Sequence, residues 1–280
     1  MKTFGLAIRI ALLVLCAIVF LVSAGMLVKI LIGYAEADKT YESINEGFEV
    51  LTEESNRTEE PEPEETDEQE EPHVVYRTDM TEQMRGQYEY LMTLKSQYPN
   101  VVGYVSVPSV SIHYPVVQTS NNDYYLNHLI TGEESSSGSI FLDYRCDANP
   151  LTAKNSVLYG HNMNNGSMFH NIESLFEKDV YLNTTVEYIC EEGIFIYKPL
   201  SVYRADASYP FARYTFADDA SYLEFCRTAV KNSRFIESEE VTYGVDSGVI
   251  TLITCTNSIS SKTGRYVFQG VLDTVYLVEE

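Results

Sequence analysis

Hydrophobic positions follow three regimes along the chain. Over residues 10–28 they are continuous, 19 residues without a charge, close to the roughly 20 that a helix needs to cross a bilayer. Over residues 36–72 they thin out. Residues 59–72 are almost wholly Glu, Pro, Asp, Thr and Gln, a composition that buries too little apolar surface to fold and whose charges repel one another. From about Thr78 the pattern becomes periodic. Met80, Met84, Tyr88, Leu91, Met92 and Leu94 predict an amphipathic helix, capped by Thr78 or Asp79 and running to about Gln97. Tyr98-Pro99-Asn100 ends it.

Beyond that helix the period shortens to that of strands. Runs rich in β-branched and aromatic residues predict strands at 101–107, 112–117, 139–142, 156–159, 185–190, 193–204, 249–255 and 266–278. Helical stretches interrupt them at 167–176 and 218–233. In the second, Tyr222, Leu223, Phe225, Cys226, Ala229 and Val230 suit one buried face. Many short strands with few helices imply a closed or nearly closed β-barrel. The chain therefore divides into a membrane anchor (1–33), an acidic disordered tether (34–77) and one folded domain (78–280).

Charge narrows the classes of partner. The 280 residues carry a formal net charge of −22, which excludes a nucleic-acid partner, since phosphate binding needs a basic face. Lys2 and Arg9 precede the apolar run and acid follows it, so the positive-inside rule puts the N-terminus in the cytoplasm and the bulk of the chain outside. A cleavable signal peptide is the rival reading. The apolar run is longer than a usual signal core, although Ser23-Ala24-Gly25 offers small residues for cleavage. The cysteines are Cys16, Cys146, Cys190, Cys226 and Cys255, none in CxxC spacing, which argues against a zinc or thioredoxin-like site.

Three residues suggest chemistry. Cys255 ends the run 249–255. His161 lies among the turn residues Gly160, Asn162, Asn164, Asn165 and Gly166. Arg265 opens the run 265–272 after a Ser/Thr/Lys/Gly loop. Each alone has a plainer reading. A lone cysteine is usually a small buried hydrophobe, as Cys146, Cys190 and Cys226 are expected to be. A loop histidine is usually solvated, and a strand-end arginine is usually a surface charge. Together they form a set: a Cys/His pair can generate a thiolate nucleophile, and a cation can hold a developing oxyanion. Strands adjacent in sequence usually pair, which brings Arg265 near Cys255.

The combination resembles the sortases, the cysteine transpeptidases of Gram-positive cell surfaces, and in detail their class B. The resemblance covers residues 79–278. It rests on Tyr159-Gly-His-Asn-Met163 with Gly166-Ser-Met-Phe169, on Gly138-Ser-Ile-Phe-Leu-Asp-Tyr144, on Asn122-Asp-Tyr-Tyr-Leu126, on Thr251-Leu-Ile-Thr-Cys255, and on the Cys-to-Arg spacing of ten. It implies an eight-stranded sortase-type β-barrel with peripheral helices, preceded by a transmembrane helix. By the same resemblance Cys255 is the nucleophile, His161 the general acid/base and Arg265 the oxyanion or substrate stabiliser. Asn122 and Leu126 fall where the family contacts its sorting peptide, and Ile253 and Thr254, beside the cysteine, are taken as part of that groove. The implied partners are the C-terminal sorting signal of a surface protein, of the NPxTN type, and an amine of a peptidoglycan precursor. No metal or organic cofactor is needed. Thr256 and Asn257 stand where some class B members carry an acid, so no side chain is identified that would orient His161. A pilin-polymerising sortase and a degenerate membrane-tethered binding module remain as other readings.

Overall fold

The computed structural model describes residues 2–53, 74–235, 243–255 and 263–278. Its β-branched runs form strands close to where their alternation predicts them. After helix α1 (Lys2–Glu53) and a short strand β1 (Val75–Arg77) come helix α2 (Glu82–Gln97), β2 (Val101–Val107), β3 (Ile112–Val117), β4 (Ile140–Leu142) and β5 (Asn155–Tyr159). Helix α3 (Lys178–Leu182), β6 (Val186–Cys190), β7 (Gly193–Asp206), α4 (Asp219–Asn232), β8 (Val249–Cys255) and β9 (Gly264–Leu277) follow. Hydrogen bonds join the strands in the order β9-β7-β6-β2-β3-β4-β5-β8, and β8 pairs with β9 to close an eight-stranded barrel. Closure removes the exposed edges of an open sheet. β1 lies outside this ring, parallel to the second half of β9 from Val75↔Thr274 to Arg77↔Tyr276.

Val105, Ile112, Val116, Ile140, Leu158, Ile189, Phe195, Leu252 and Phe268 are fully buried in the main core. A smaller cluster lies under α4, where Tyr222, Cys226 and Ala229 pack on Leu200, Val249 and Val271. Helix α4 forms where its apolar stripe predicts it, and Asp218 and Ser221 close a reciprocal capping box at its start. Cys146, Cys190 and Cys226 are buried, as expected of small apolar side chains.

Two helix starts differ from expectation. α2 begins at Glu82, and its cap is Thr81, whose hydroxyl accepts from Met84 N at 3.2 Å. Thr78 and Asp79 do not cap it, because β1 holds the chain extended as far as Arg77. The helical stretch expected over 167–176 is a 3-10 segment, His170–Phe176, followed by the short α3. Met168 adopts a positive φ of 60°, which delays the helix.

The expected disordered tether at 34–77 needs the larger correction. α1 continues unbroken to Glu53, and residues 75–77 form β1, while 54–73 lie outside the described residues. The physical reason is a sparse stripe. Ala37, Tyr41, Ile44 and Phe48 recur at spacings of four, three and four and are all buried, which is one face of a helix. Phe48 stacks on Tyr104 of β2 with ring centroids 3.7 Å apart, and the Tyr104 hydroxyl donates to Asn45 Oδ1 at 2.9 Å. Before this docked part, Leu12, Phe20, Leu21 and Ile32 are exposed, on a helix long and apolar enough to cross a membrane.

Candidate active site

Strand order brings the three candidate residues together. β8 lies between β5 and β9. Across the antiparallel β8–β9 pair, Cys255 is the direct register partner of Arg265, and directly opposed residues have Cβ atoms about 5 Å apart. On the other side β5 runs parallel to β8, with Tyr159 paired to Ile253 and Gly160 N donating to Ile253 O at 3.1 Å. Two residues beyond each of these lie His161 and Cys255. A loop histidine, a strand-end cysteine and a strand-start arginine therefore occupy neighbouring positions on three adjacent chain segments. Of Cys255 only the backbone is described, and Thr256 and Asn257 lie outside the described residues.

The loop that carries His161 is locked by its own sequence. Gly160 must be glycine: a Cβ there would come within 2.3 Å of Ile140 and 2.8 Å of Phe169. Met163, Met168 and Phe169 are buried and pin the loop to the barrel. Asn162 pairs with Met168 as an isolated bridge, and Phe169 N donates to His161 O at 2.9 Å. The His161 ring is partly buried, with Nε2 2.8 Å from Leu126 O. A carbonyl only accepts, so Nε2 carries a proton, and among the described residues no hydrogen bond engages Nδ1. The group that orients His161 is thus a backbone carbonyl of the 3-10 turn Tyr124–Leu126. Sequence reading missed it because a carbonyl belongs to every residue. The only trace was the Asn122–Leu126 motif itself.

Beside the site lies a closed polar cluster. The Asp143 side chain is fully buried and bound in bidentate fashion by Arg145, at 2.8 Å from Nε and 2.7 Å from Nη2. Asn122 Nδ2 and the Tyr159 hydroxyl also donate to Asp143 Oδ2, each at 3.1 Å. Burial alone would raise the Asp143 pKa, but the Arg145 hydrogen bonds and charge, helped by Asn122, outweigh it and hold the carboxyl below its ordinary range. The other end of the Asn122 amide, Oδ1, accepts from Tyr144 N at 3.0 Å.

The expected groove residues divide accordingly. Asn122 has both ends of its side chain turned to the 143–144 turn, and Leu126 gives its carbonyl to His161. Ile253 is 1% exposed and packs in the core, so it is a barrel wall and not an open groove position. Its registry with Tyr159 and Val267 in neighbouring strands is what buries it. Thr254 is also buried, and its hydroxyl has no hydrogen-bond partner among the described residues.

A cavity of about 480 Å³ opens where β9 begins, lined by Arg265, Tyr159 and Arg145 on the barrel side and by Tyr209, Phe211 and Tyr214 of the segment after β7. Asp206, at the end of β7, is held down to about 2 by hydrogen bonds from Thr263 and Ser208 and stays ionised near Arg265. Burial pushes the Cys146 and Cys226 thiols up to about 11 each, so neither supplies a thiolate at neutral pH. Among the described residues no cluster of His, Cys, Asp and Glu is arranged to hold a metal ion.

Comparison with known proteins agrees with this fold. The Sortase domain family matches residues 105–273. Sortase B of Listeria monocytogenes is 32% identical over 186 residues, covering 66% of this chain and 74% of that protein. The X-ray structure of Clostridium perfringens sortase B superposes with a TM-score of 0.60 at 28% identity, over 65% of this chain and 98% of that one. A Staphylococcus aureus sortase B–substrate complex shares the fold, with a TM-score of 0.67 at 22% identity over 86% of this chain and 98% of that one. Barrel and family match together define a cysteine transpeptidase. The chain belongs to the sortase family, in its class B.

Proposed function

We propose that this chain is a membrane-anchored transpeptidase in which Cys255 is the nucleophile, His161 the general acid/base and Arg265 the oxyanion stabiliser. The observation that carries the assignment is the register of β5, β8 and β9, which aligns the three positions on adjacent segments. The substrate is the C-terminal sorting signal of a surface protein, of the NPxTN type. It is received in the cavity beside Arg265, whose tyrosine and arginine walls suit an extended peptide. The Cys255 thiolate attacks the threonine carbonyl, and Arg265 stabilises the tetrahedral oxyanion. As the C–N bond breaks, the leaving amine takes a proton from His161, and a thioester joins Cys255 to the surface protein. An amino group of a peptidoglycan precursor then attacks, gives its proton to His161, and expels the thiolate. Two half-reactions through a covalent intermediate give ping-pong kinetics. A sortase B complexed with triglycine supports an amine as second substrate.

The first helix crosses the membrane with its N-terminus in the cytoplasm and the barrel outside, in keeping with Lys2 and Arg9 ahead of the apolar run. The test is cleavage of a quenched peptide containing Asn-Pro-Gln-Thr-Asn by the full chain in detergent, with triglycine and diaminopimelate as acceptors. Cleavage after threonine with transfer to an acceptor is expected, and Cys255→Ala is expected to abolish both. Cleavage that survives Cys255→Ala contradicts the assignment.

A further inference from the structure

We propose that the docked half of α1 is a positioning element for His161 and acts through Tyr41; this rests on the reading of His161 as the proton-transfer residue. Tyr41 is buried, and its hydroxyl reaches loops far along the chain, donating to Gly138 O at 2.9 Å and lying 2.9 Å from Ser139 Oγ. Burial raises the pKa of this phenol, so it remains a donor.

Gly138 in turn props the turn that holds His161. Its φ is +58°, and a Cβ there would come within 2.5 Å of Tyr125 O and 2.8 Å of Leu126 O. Ser139 N donates to Tyr125 O at 2.9 Å, and Leu126 O receives His161 Nε2. From α1 to the imidazole there are thus two hydrogen bonds and one close backbone contact between them. A side chain longer than hydrogen at position 138 would push away the carbonyl that orients the ring.

The same helix grips the other end of the His161 loop. The Tyr41 ring packs edge-on to Tyr114, centroids 5.3 Å apart, and the Tyr114 hydroxyl accepts from Met168 N at 2.8 Å. Asp38 accepts from Asn165 Nδ2 at 3.2 Å. A helix that only covered apolar surface would need Ala37, Ile44 and Phe48 but not these polar reaches. Because α1 is continuous with the apolar N-terminal segment, the anchor and the catalytic loop are mechanically joined. Asp38 is five residues beyond Gly33, about 7.5 Å along the helix axis.

The test uses the full chain in detergent with Cys16→Ser as background, so that Cys255 dominates alkylation by iodoacetamide. The rate is followed against pH by intact mass. In Tyr41→Phe, which keeps the ring and removes only the hydroxyl, the profile is expected to move toward that of His161→Ala. The kcat for the quenched Asn-Pro-Gln-Thr-Asn peptide is expected to fall roughly three- to tenfold with KM unchanged. Asp38→Ala, at a partly exposed position, should move the profile the same way by less, and Glu42→Gln, on the exposed side of the helix, should not move it. Parent-like profiles in both Tyr41→Phe and Asp38→Ala, with His161→Ala clearly shifted, overturn the inference. A His161→Ala profile identical to the parent's instead overturns the reading of His161 beneath it, and this inference with it.

Discussion

Two polar groupings lie on either side of Tyr159 and are built on opposite principles. Asp143 is fully buried, and Arg145, Asn122 and Tyr159 together saturate its carboxylate. His161, two residues beyond Tyr159, is only partly buried and, among the described residues, is held through one nitrogen by one backbone carbonyl. A saturated buried ion pair has a single geometry and loses much if any partner goes. A ring tethered at one nitrogen keeps the other available for protons. In the proposed mechanism the first arrangement serves as scaffold and the second as reagent, and the sequence Tyr159-Gly160-His161 joins them.

Substitutions that separate the two principles sharpen the contrast. His161→Ala is expected to lower kcat by about 10²- to 10⁴-fold, the usual range for losing a general acid/base, with little change in melting temperature. Loss of stability in step with activity would mean that His161 is scaffold after all. Arg265→Lys keeps the charge but loses the planar fork, and kcat should drop on the order of 10²-fold at nearly unchanged stability.

The scaffold should respond the other way. Arg145→Met strands a buried carboxylate, and unfolding by urea should show a loss of about 2–4 kcal/mol, below the full value for a buried pair because Arg145 is partly exposed. The kcat of the folded fraction should stay near the parent's. The Asp143 carboxyl titrates below its unfolded value, so its contribution is complete above the ordinary carboxylate range and is lost as pH falls through its lowered folded pKa. Acid unfolding followed by circular dichroism should accordingly be less steep in Asp143→Asn, measured against the parent's own neutral-pH stability. The smallest effect expected is that of Asn122→Ala, about 1 kcal/mol for lost hydrogen bonds. A large rise in KM for the sorting peptide in that variant would restore Asn122 to the groove.

The barrel was readable because both faces of its strands are buried and their β-branched runs end at clear turn residues. That Cys255, His161 and Arg265 fall on neighbouring segments was readable because they sit at or just beyond strand ends, where register aligns them. The docked half of α1 was hidden because Ala37, Tyr41, Ile44 and Phe48 are diluted by acidic residues on the opposite face, so average composition pointed to disorder. β1 is too short, at three residues, to carry a period. Ile253 could not be separated from a groove residue without the register that buries it. The orienting role of Leu126 left no side-chain signal, being a property of its carbonyl.

The chemistry itself is tested most directly by intact mass spectrometry of the full chain incubated with a peptide containing Asn-Pro-Gln-Thr-Asn and no added amine. A thioester adduct ending at threonine on Cys255, discharged by triglycine or hydroxylamine, is the expected result. A folded protein that cleaves the peptide while the adduct maps to another residue, or forms on Cys255→Ala, would contradict it.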